Sequence, residues 1–201
     1  MEGYWRTDDD RNAVTFGVDL YWLPLGAGGH SVRLFGKAYE AMVAAVERRS
    51  VCDLYHSALE VRVAEGTYVI EMTPIPDAYP ERRGVVGVGA VGARWAGRLR
   101  IFRYEVRRWC GGAIPDVAEA VDSPRRLTDD PACARALLDL VPSVPLAVWG
   151  RDEMGAGEMW NSNSLISWLI VRAGMDEGLV ALPVGGRAPG WRAGVAVARR
   201  S

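Results

Sequence analysis

Two runs of alternating β-prone residues, separated by a short glycine-containing link, restrict the fold of this chain more than any other feature. The first run is YHSALEVRV, at residues 55–63, and the second is TYVIEMTP, at residues 67–74. In the link between them, the Glu65-Gly66 pair can supply the positive φ that a tight hairpin needs. The two runs therefore predict a pair of antiparallel strands.

The remaining patterns predict further strands and several helices. Two-residue spacing predicts strands in VTFGVDLYW (14–22) and IFRYEVRRW (101–109), the latter with one solvated face, and GVAVA (194–198) is strand-like. Three- and four-residue spacing and capping residues predict helices over 35–48, within 128–142 and over 162–173. This mixture predicts an α+β fold in which a small antiparallel sheet packs against helices.

Length and charge limit the classes of function. A chain of 201 residues suits one domain, so we expect a flexible acidic arm at 1–12 and a single α+β domain at 13–201. The 24 basic and 25 acidic residues nearly cancel, which argues against both nucleic acid and an anionic membrane as partners. The sequence contains no apolar run typical of a signal peptide or a membrane span, so we expect a cytoplasmic protein.

Cofactor and metal signals are weak. Three cysteines without CxxC spacing predict neither a disulfide framework nor a zinc site, and we expect no cofactor and no metal. GVGAVG, at 87–92, matches a dinucleotide-binding pattern but precedes a strand instead of a helix, which favours a mobile glycine-rich loop. LPLGAGGHS, at 23–31, lies between a strand and a helix and is either a capped turn or an anion-binding loop.

The predicted hairpin carries a polar face. If Glu65 and Gly66 form its tip, Glu60 lies opposite Glu71, and the residues on this face are His56, Ala58, Glu60, Glu71 and Thr73. Two opposed carboxylates repel each other unless a proton, Arg62 or His56 relieves them. The face is therefore either a functional site or an exposed sheet surface that contains a histidine.

The segment WNSNSLISWL, at 160–169, places four small polar residues ahead of an apolar helix. Asn161 or Ser162 can cap the helix by accepting a hydrogen bond from a free amide. Capping explains one polar residue and leaves three without a role. A serine hydroxyl at a helix N-terminus also lies where free amides and the helix dipole favour a developing negative charge.

Together, HSALEV, a hairpin, VIEMTP and the later NSNSLISWL resemble the circularly permuted papain-like superfamily, which includes relatives of NlpC-type peptidases and of lecithin:retinol acyltransferases. A bacterial family with an NSN segment ahead of a helix is similar as well. In the superfamily a histidine opens a strand, a polar residue lies on the next strand, and a nucleophilic cysteine begins a later helix. His56, Glu71 and Ser162 occupy the matching positions, with serine in place of cysteine.

The resemblance implies a serine-dependent hydrolase or acyltransferase that acts on an amide, ester or thioester, in a small-molecule substrate or in an acyl or peptidyl substrate. His56 would be the base, Glu71 would orient it, and Ser162 would be the nucleophile. Alternative or supporting residues are Ser164, Asn161 and Glu60, and the substrate-binding residues would be Trp149, Trp160 and Tyr55. The competing interpretation is a non-catalytic papain-like descendant that binds a ligand or a partner. Neither interpretation predicts an oligomeric state.

Overall fold

A computed structural model describes residues 15–25, 52–75 and 84–200. Within these ranges the strands are β1 (Gly17–Pro24), β2 (Asp53–Val63), β3 (Gly66–Pro74), β4 (Val85–Ala90), β5 (Arg103–Cys110), β6 (Val121–Thr128) and β7 (Gly186–Arg187). The α-helices there are α1 (Pro131–Leu140), α2 (Ser162–Arg172) and α3 (Trp191–Ala198). The predicted acidic arm at 1–12, the GAGGHS segment of the glycine-rich loop at 26–31 and the helix at 35–48 lie outside the described residues.

The strands form one seven-stranded sheet in the order β4-β5-β3-β2-β1-β6, with every neighbouring pair antiparallel. The two-residue β7 lies off this path and runs parallel to the start of β2. The predicted α+β fold, with an antiparallel sheet packed against helices, is confirmed.

One face of the sheet carries the main core. Val18, Leu20 and Trp22 alternate along β1 and are fully buried, as the two-residue spacing predicts. They pack with Leu59 of β2 and with apolar residues of all three helices. The helices therefore cover this face, which we call the helix face.

The predicted hairpin forms, but its register differs from the expected one. Its tip is a two-residue turn at Ala64 and Glu65, and Val63 pairs with Gly66, whose φ is 142°. Because Gly66 takes its positive φ inside β3, Glu60 lies opposite Val69 and not opposite Glu71. A shift of two residues keeps each side chain on its predicted face, so the shared polar face is retained.

Strand β5 corrects the expectation of a solvated face. Tyr104 and Val106 are buried on the helix face, as predicted. The alternating Glu105 and Arg107 are also buried, with 1% and 4% of their surfaces exposed. Charged alternation in a strand does not distinguish a solvated face from a face on which the charges pair with each other.

Two short glycine-containing patterns are corrected as well. GVGAVG contributes to the edge strand β4 rather than a loop, and GVAVA belongs to helix α3 rather than a strand. Gly194 allows α3 to approach α2, because a Cβ atom there would lie 2.1 Å from the carbonyl oxygen of Ser164. Close helix packing thus outweighs the β-propensity of the valines.

The helices α1 and α2 begin and end near their predicted limits. Asp130 caps α1 by accepting a hydrogen bond from the amide of Ala132. Gly174, with a φ of 79°, follows the end of α2. Within residues 15–25, 52–75 and 84–200, every helix is too short or too polar to cross a bilayer.

Candidate functional site

The NSNS segment begins α2 as a reciprocal cap. The Asn161 side chain accepts hydrogen bonds from the amides of Asn163 (2.9 Å) and Ser164 (3.3 Å). In return, the Ser164 hydroxyl accepts one from the Asn161 amide at 3.1 Å. This capping box satisfies amides that a helix N-terminus otherwise leaves without partners. Asn161 is therefore a structural cap.

Asn163 joins three distant segments of the chain. Its Oδ1 accepts a hydrogen bond from the Ser57 hydroxyl at 2.9 Å, and its Nδ2 donates to the carbonyls of Tyr55 and Pro189, both at 2.9 Å. The two carbonyl partners determine which end of the amide is nitrogen. Since Asn163 is 1% exposed, these bonds form away from solvent and connect α2 to β2 and to the segment before α3.

Ser164 holds the start of α3. Its hydroxyl donates to the Gly190 carbonyl at 2.7 Å, and Ser167 donates to the Trp191 carbonyl, also at 2.7 Å. Ser164 is fully buried, and its proton is directed at a carbonyl. The expected role of Ser164 as an alternative nucleophile has no support in this geometry, because a nucleophilic hydroxyl must donate to a base.

Ser162 lies at the first position of α2 and is 4% exposed. Among the described residues, no hydrogen bond partner of its hydroxyl is found. It belongs to the helix that packs on the helix face of the sheet, next to Asn163, which contacts Ser57. The predicted nucleophile is therefore on the same side of the sheet as Ser57.

His56 projects from the opposite side of the sheet. Strand β2 pairs with β1 without interruption from Tyr55 to Arg62, so successive side chains alternate between the two faces. Because Ser57 points toward α2, His56 points away from it. The structure thus separates His56 from Ser162 by the backbone of the sheet, contrary to the expected catalytic contact.

His56 is also a weak base in this environment. Burial lowers the pKa of its imidazole to about 4, and the nearby Asp116 carboxylate only partly opposes this effect. The ring is therefore neutral at pH 7. A general base works best with a pKa near the working pH, so this imidazole is poorly suited to take a proton from a serine hydroxyl.

Glu71 lies on the same face as His56 but pairs with an arginine. Arg107 donates through Nη1 to Glu71 at 2.6 Å and through Nε to Glu105 at 2.9 Å. All three side chains are buried, and within the part of the chain that the structure describes the Arg107 Nη2 atom has no hydrogen bond partner. Arg107 thus joins Glu71 of β3 to Glu105 on its own strand β5, and Glu71 is committed to this contact rather than to His56.

Glu60, the third carboxylate on this face, belongs to a separate charge cluster. Arg62 bridges Glu60 and Asp19, and Arg126 also binds Asp19. Burial raises the pKa of Asp19, but the hydrogen bonds from Arg126 and Arg62 outweigh it and hold the pKa below its ordinary value. The carboxylate opposite Glu60 is Asp19 and not the predicted Glu71, and Arg62 bridges Glu60 and Asp19.

The three predicted substrate-binding residues lie in or against the core. Trp160 and Tyr55 are buried in the main core, and Trp149 packs edge-on against Tyr104 with ring centroids 5.6 Å apart. None of them lines the open depression described next. Their role in this geometry is packing.

The described residues contain an open depression of about 480 Å³ beside β4. It is lined by Val88, Gly89, Ala90, Arg94, Gly97, Arg98, Arg103, Leu146 and Val148. Two of the arginines belong to residues 94–102, which connect β4 to β5 through two short 3₁₀ turns and which we call the arginine loop. The loop has the sequence RWAGRLRIF, with three arginines and no acidic residue.

The arginine loop exposes large apolar side chains. Their exposed fractions are 73% for Trp95, 57% for Leu99, 80% for Ile101 and 42% for Phe102. The loop is nevertheless fixed to the body of the protein. Arg103 donates to the carbonyls of Gly97 (2.5 Å) and Arg98 (3.2 Å), and Ala96 is buried.

Comparison with known proteins adds no further information. No family model, no curated protein and no solved structure matches this chain.

The predicted strand at 101–109 includes Ile101 and Phe102, but β5 begins at Arg103, and both residues belong to the arginine loop. The overall charge balance concealed it, because 24 basic and 25 acidic residues cancel over the whole chain. A local signal existed, since three arginines alternate with Trp95, Leu99 and Ile101 and no acidic residue intervenes. Counting basic and apolar residues together over about ten consecutive positions identifies the arginine loop.

Proposed function

We propose that this chain is a non-catalytic binding module that docks onto a partner surface through the arginine loop. The observation that carries the proposal is the exposure of Trp95, Leu99 and Ile101 on one short loop whose ends are held in place. Soluble proteins seldom leave adjacent large apolar side chains in water unless another surface covers them in function. The arginine-lined depression beside the loop adds charge that can orient the partner.

The predicted serine-dependent hydrolase or acyltransferase has weaker support. It needs His56 within hydrogen-bond reach of Ser162, and these residues lie on opposite faces of the sheet. The polar residues around Ser162 are accounted for by capping and by bonds to β2 and α3. The alternative of a papain-like descendant without catalysis fits this arrangement, and the papain-like origin itself stays a prediction.

The dye 1-anilinonaphthalene-8-sulfonate tests the docking surface, because it combines an apolar ring system with a negative charge. We expect the folded protein to enhance the fluorescence of the dye, and Ile101→Ser to reduce that enhancement strongly. Val184→Ser is the matched control, since Val184 is fully exposed but lies outside the loop. Denaturant midpoints must stay unchanged, because partly unfolded states also bind the dye. No enhancement, or equal enhancement in all three proteins, would contradict the proposal.

A further inference from the structure

The composition of the arginine loop restricts the kind of surface that it can bind. Its exposed side chains include the aliphatic Leu99 and Ile101 as well as the aromatic Trp95, and Arg94, Arg98 and Arg100 are exposed among them. Arginine and tryptophan side chains favour the interface between lipid headgroups and acyl chains. There the apolar part of the side chain contacts the acyl chains while its charged or polar end contacts headgroups and water. Aliphatic side chains beside them add apolar surface that the lipid acyl chains can bury.

The balance of charge favours an anionic surface. Arg94 pairs with Glu153, which partly neutralises it. The loop itself contributes Arg94, Arg98 and Arg100 and contains no carboxylate, so its local charge is positive although the chain as a whole has a net charge of −1. A basic segment of this kind is attracted to anionic headgroups over a distance of about one Debye length, about 8 Å at physiological salt.

The loop is also built to hold its apolar side chains outward. The Val91 amide donates to the Phe102 carbonyl at 2.8 Å and closes the base of the loop. Gly97 packs against Ala90, where an added Cβ would lie 2.9 Å from the Ala90 side chain. Because the backbone is held by these contacts, insertion needs little additional ordering of the loop.

Two other classes of partner fit the loop less well. A nucleic acid would stack its bases on aromatic rings, but Leu99 and Ile101 provide no π-face for stacking. A stable protein interface usually takes about 20 to 30 residues from each side, which is more than this nine-residue segment provides. Peripheral attachment to lipid needs only a few inserted side chains together with basic residues.

We infer that the arginine loop attaches this protein to the surface of an anionic phospholipid membrane, with Trp95, Leu99 and Ile101 entering the interface and Arg98 contacting the headgroups. This inference rests on the proposed docking role of the loop and names the partner of the same surface. It describes attachment at the interface and requires no membrane-spanning segment.

Vesicle sedimentation with the full chain tests the inference. One set of vesicles contains phosphatidylcholine alone, and the other contains phosphatidylcholine and phosphatidylserine at a ratio of roughly 2:1. We expect the phosphatidylserine vesicles to bind at least about five-fold more protein, which is the contribution of one basic residue near an anionic surface. Raising the salt concentration should weaken this preference.

Matched variants separate the contributions of charge and apolar area. Arg98→Gln should lower binding about five-fold, while Arg192→Gln on α3 should leave it unchanged. Ile101→Ser should lower binding about ten-fold, while Val184→Ser should not change it. All four positions are exposed, so the variants should fold.

The results also distinguish the inference from the proposed function. Equal binding to both kinds of vesicle, or binding that Arg98→Gln and Ile101→Ser leave intact, would overturn the lipid inference. If the loop binds the dye but the protein ignores vesicles, the docking function stands and the lipid partner is wrong. Binding to polyglutamate without binding to vesicles would overturn the inference in favour of an acidic protein partner.

Discussion

Replacement of Asn163 should destabilise the protein far more than its size suggests. Its side chain makes three hydrogen bonds, to Ser57, Tyr55 and Pro189, each at 2.9 Å, and the first two are buried. With about 1 kcal/mol for each bond, Asn163→Ala should lower the free energy of unfolding by about 3 kcal/mol. The buried Tyr55 carbonyl loses the Asn163 donor, which makes this a lower bound, whereas the Pro189 carbonyl keeps its hydrogen bond from Asn161 at 2.8 Å.

A second variant separates the contribution of the hydrogen bonds of Asn163 from the contribution of its volume. Asn163→Asp keeps the size and the acceptor for Ser57, but it places a carboxylate oxygen against the carbonyls of Tyr55 and Pro189. At pH 7 we therefore expect Asn163→Asp to be at least as destabilising as Asn163→Ala. A residue that only fills space would tolerate this nearly isosteric change.

Equilibrium unfolding in urea, followed by tryptophan fluorescence, measures these effects. Ser57→Ala alone should cost about 1 kcal/mol, and a double-mutant cycle with Asn163→Ala should give a coupling of about 1 kcal/mol. A loss of less than about 1 kcal/mol for Asn163→Ala, or strict additivity with Ser57→Ala, would refute the structural role assigned to the segment.

Two further predictions concern His56 and Gly194. Because the folded-state pKa of His56 is about 4 and the ordinary value is 6.5, the unfolded chain binds a proton between these pH values that the folded chain does not. The free energy of unfolding should therefore fall as the pH decreases through this window, by about 2 kcal/mol once the partial exposure of the ring is allowed for. His56→Asn should remove most of this pH dependence, which urea unfolding at several pH values measures. Gly194→Ala should lower the thermal midpoint by several degrees in calorimetry, since its Cβ would lie 2.1 Å from both the Ser164 carbonyl oxygen and the Ser167 hydroxyl. An unchanged midpoint would show that α3 does not pack this closely on α2.

The sequence allows prediction of the elements that have long and regular patterns. Alternation in β1 and in the hairpin predicts the strands, and Asp130 with Pro131 marks the start of α1. The turn position was missed by one residue, because a glycine with positive φ fits either a turn or a strand end. Five residues of GVAVA are too few to separate a strand from a helix, and contact with α2 decides between them.

The site was harder to predict than the fold. That a polar residue caps α2 follows from local sequence, because Asn161 and Ser164 have the spacing of a capping box. The tertiary partners of the segment cannot be predicted from local sequence, since Tyr55 and Pro189 are distant in sequence from Asn163. The face from which His56 projects depends on which side of the sheet the helices cover, and alternation alone leaves both sides possible.

The central claim is that His56 and Ser162 do not share a site. Its most direct test measures, as a function of pH, the rate at which iodoacetamide alkylates the thiol introduced by Ser162→Cys. Peptide mass spectrometry resolves this thiol from the native cysteines, of which the exposed Cys110 serves as the internal reference. We predict slow alkylation with the same pH profile in Ser162→Cys and in the Ser162→Cys/His56→Ala double variant, because the sheet separates the two positions. Rapid alkylation below pH 7 that His56→Ala slows ten-fold or more would contradict the account, because a thiolate stabilised by an imidazolium requires contact between them.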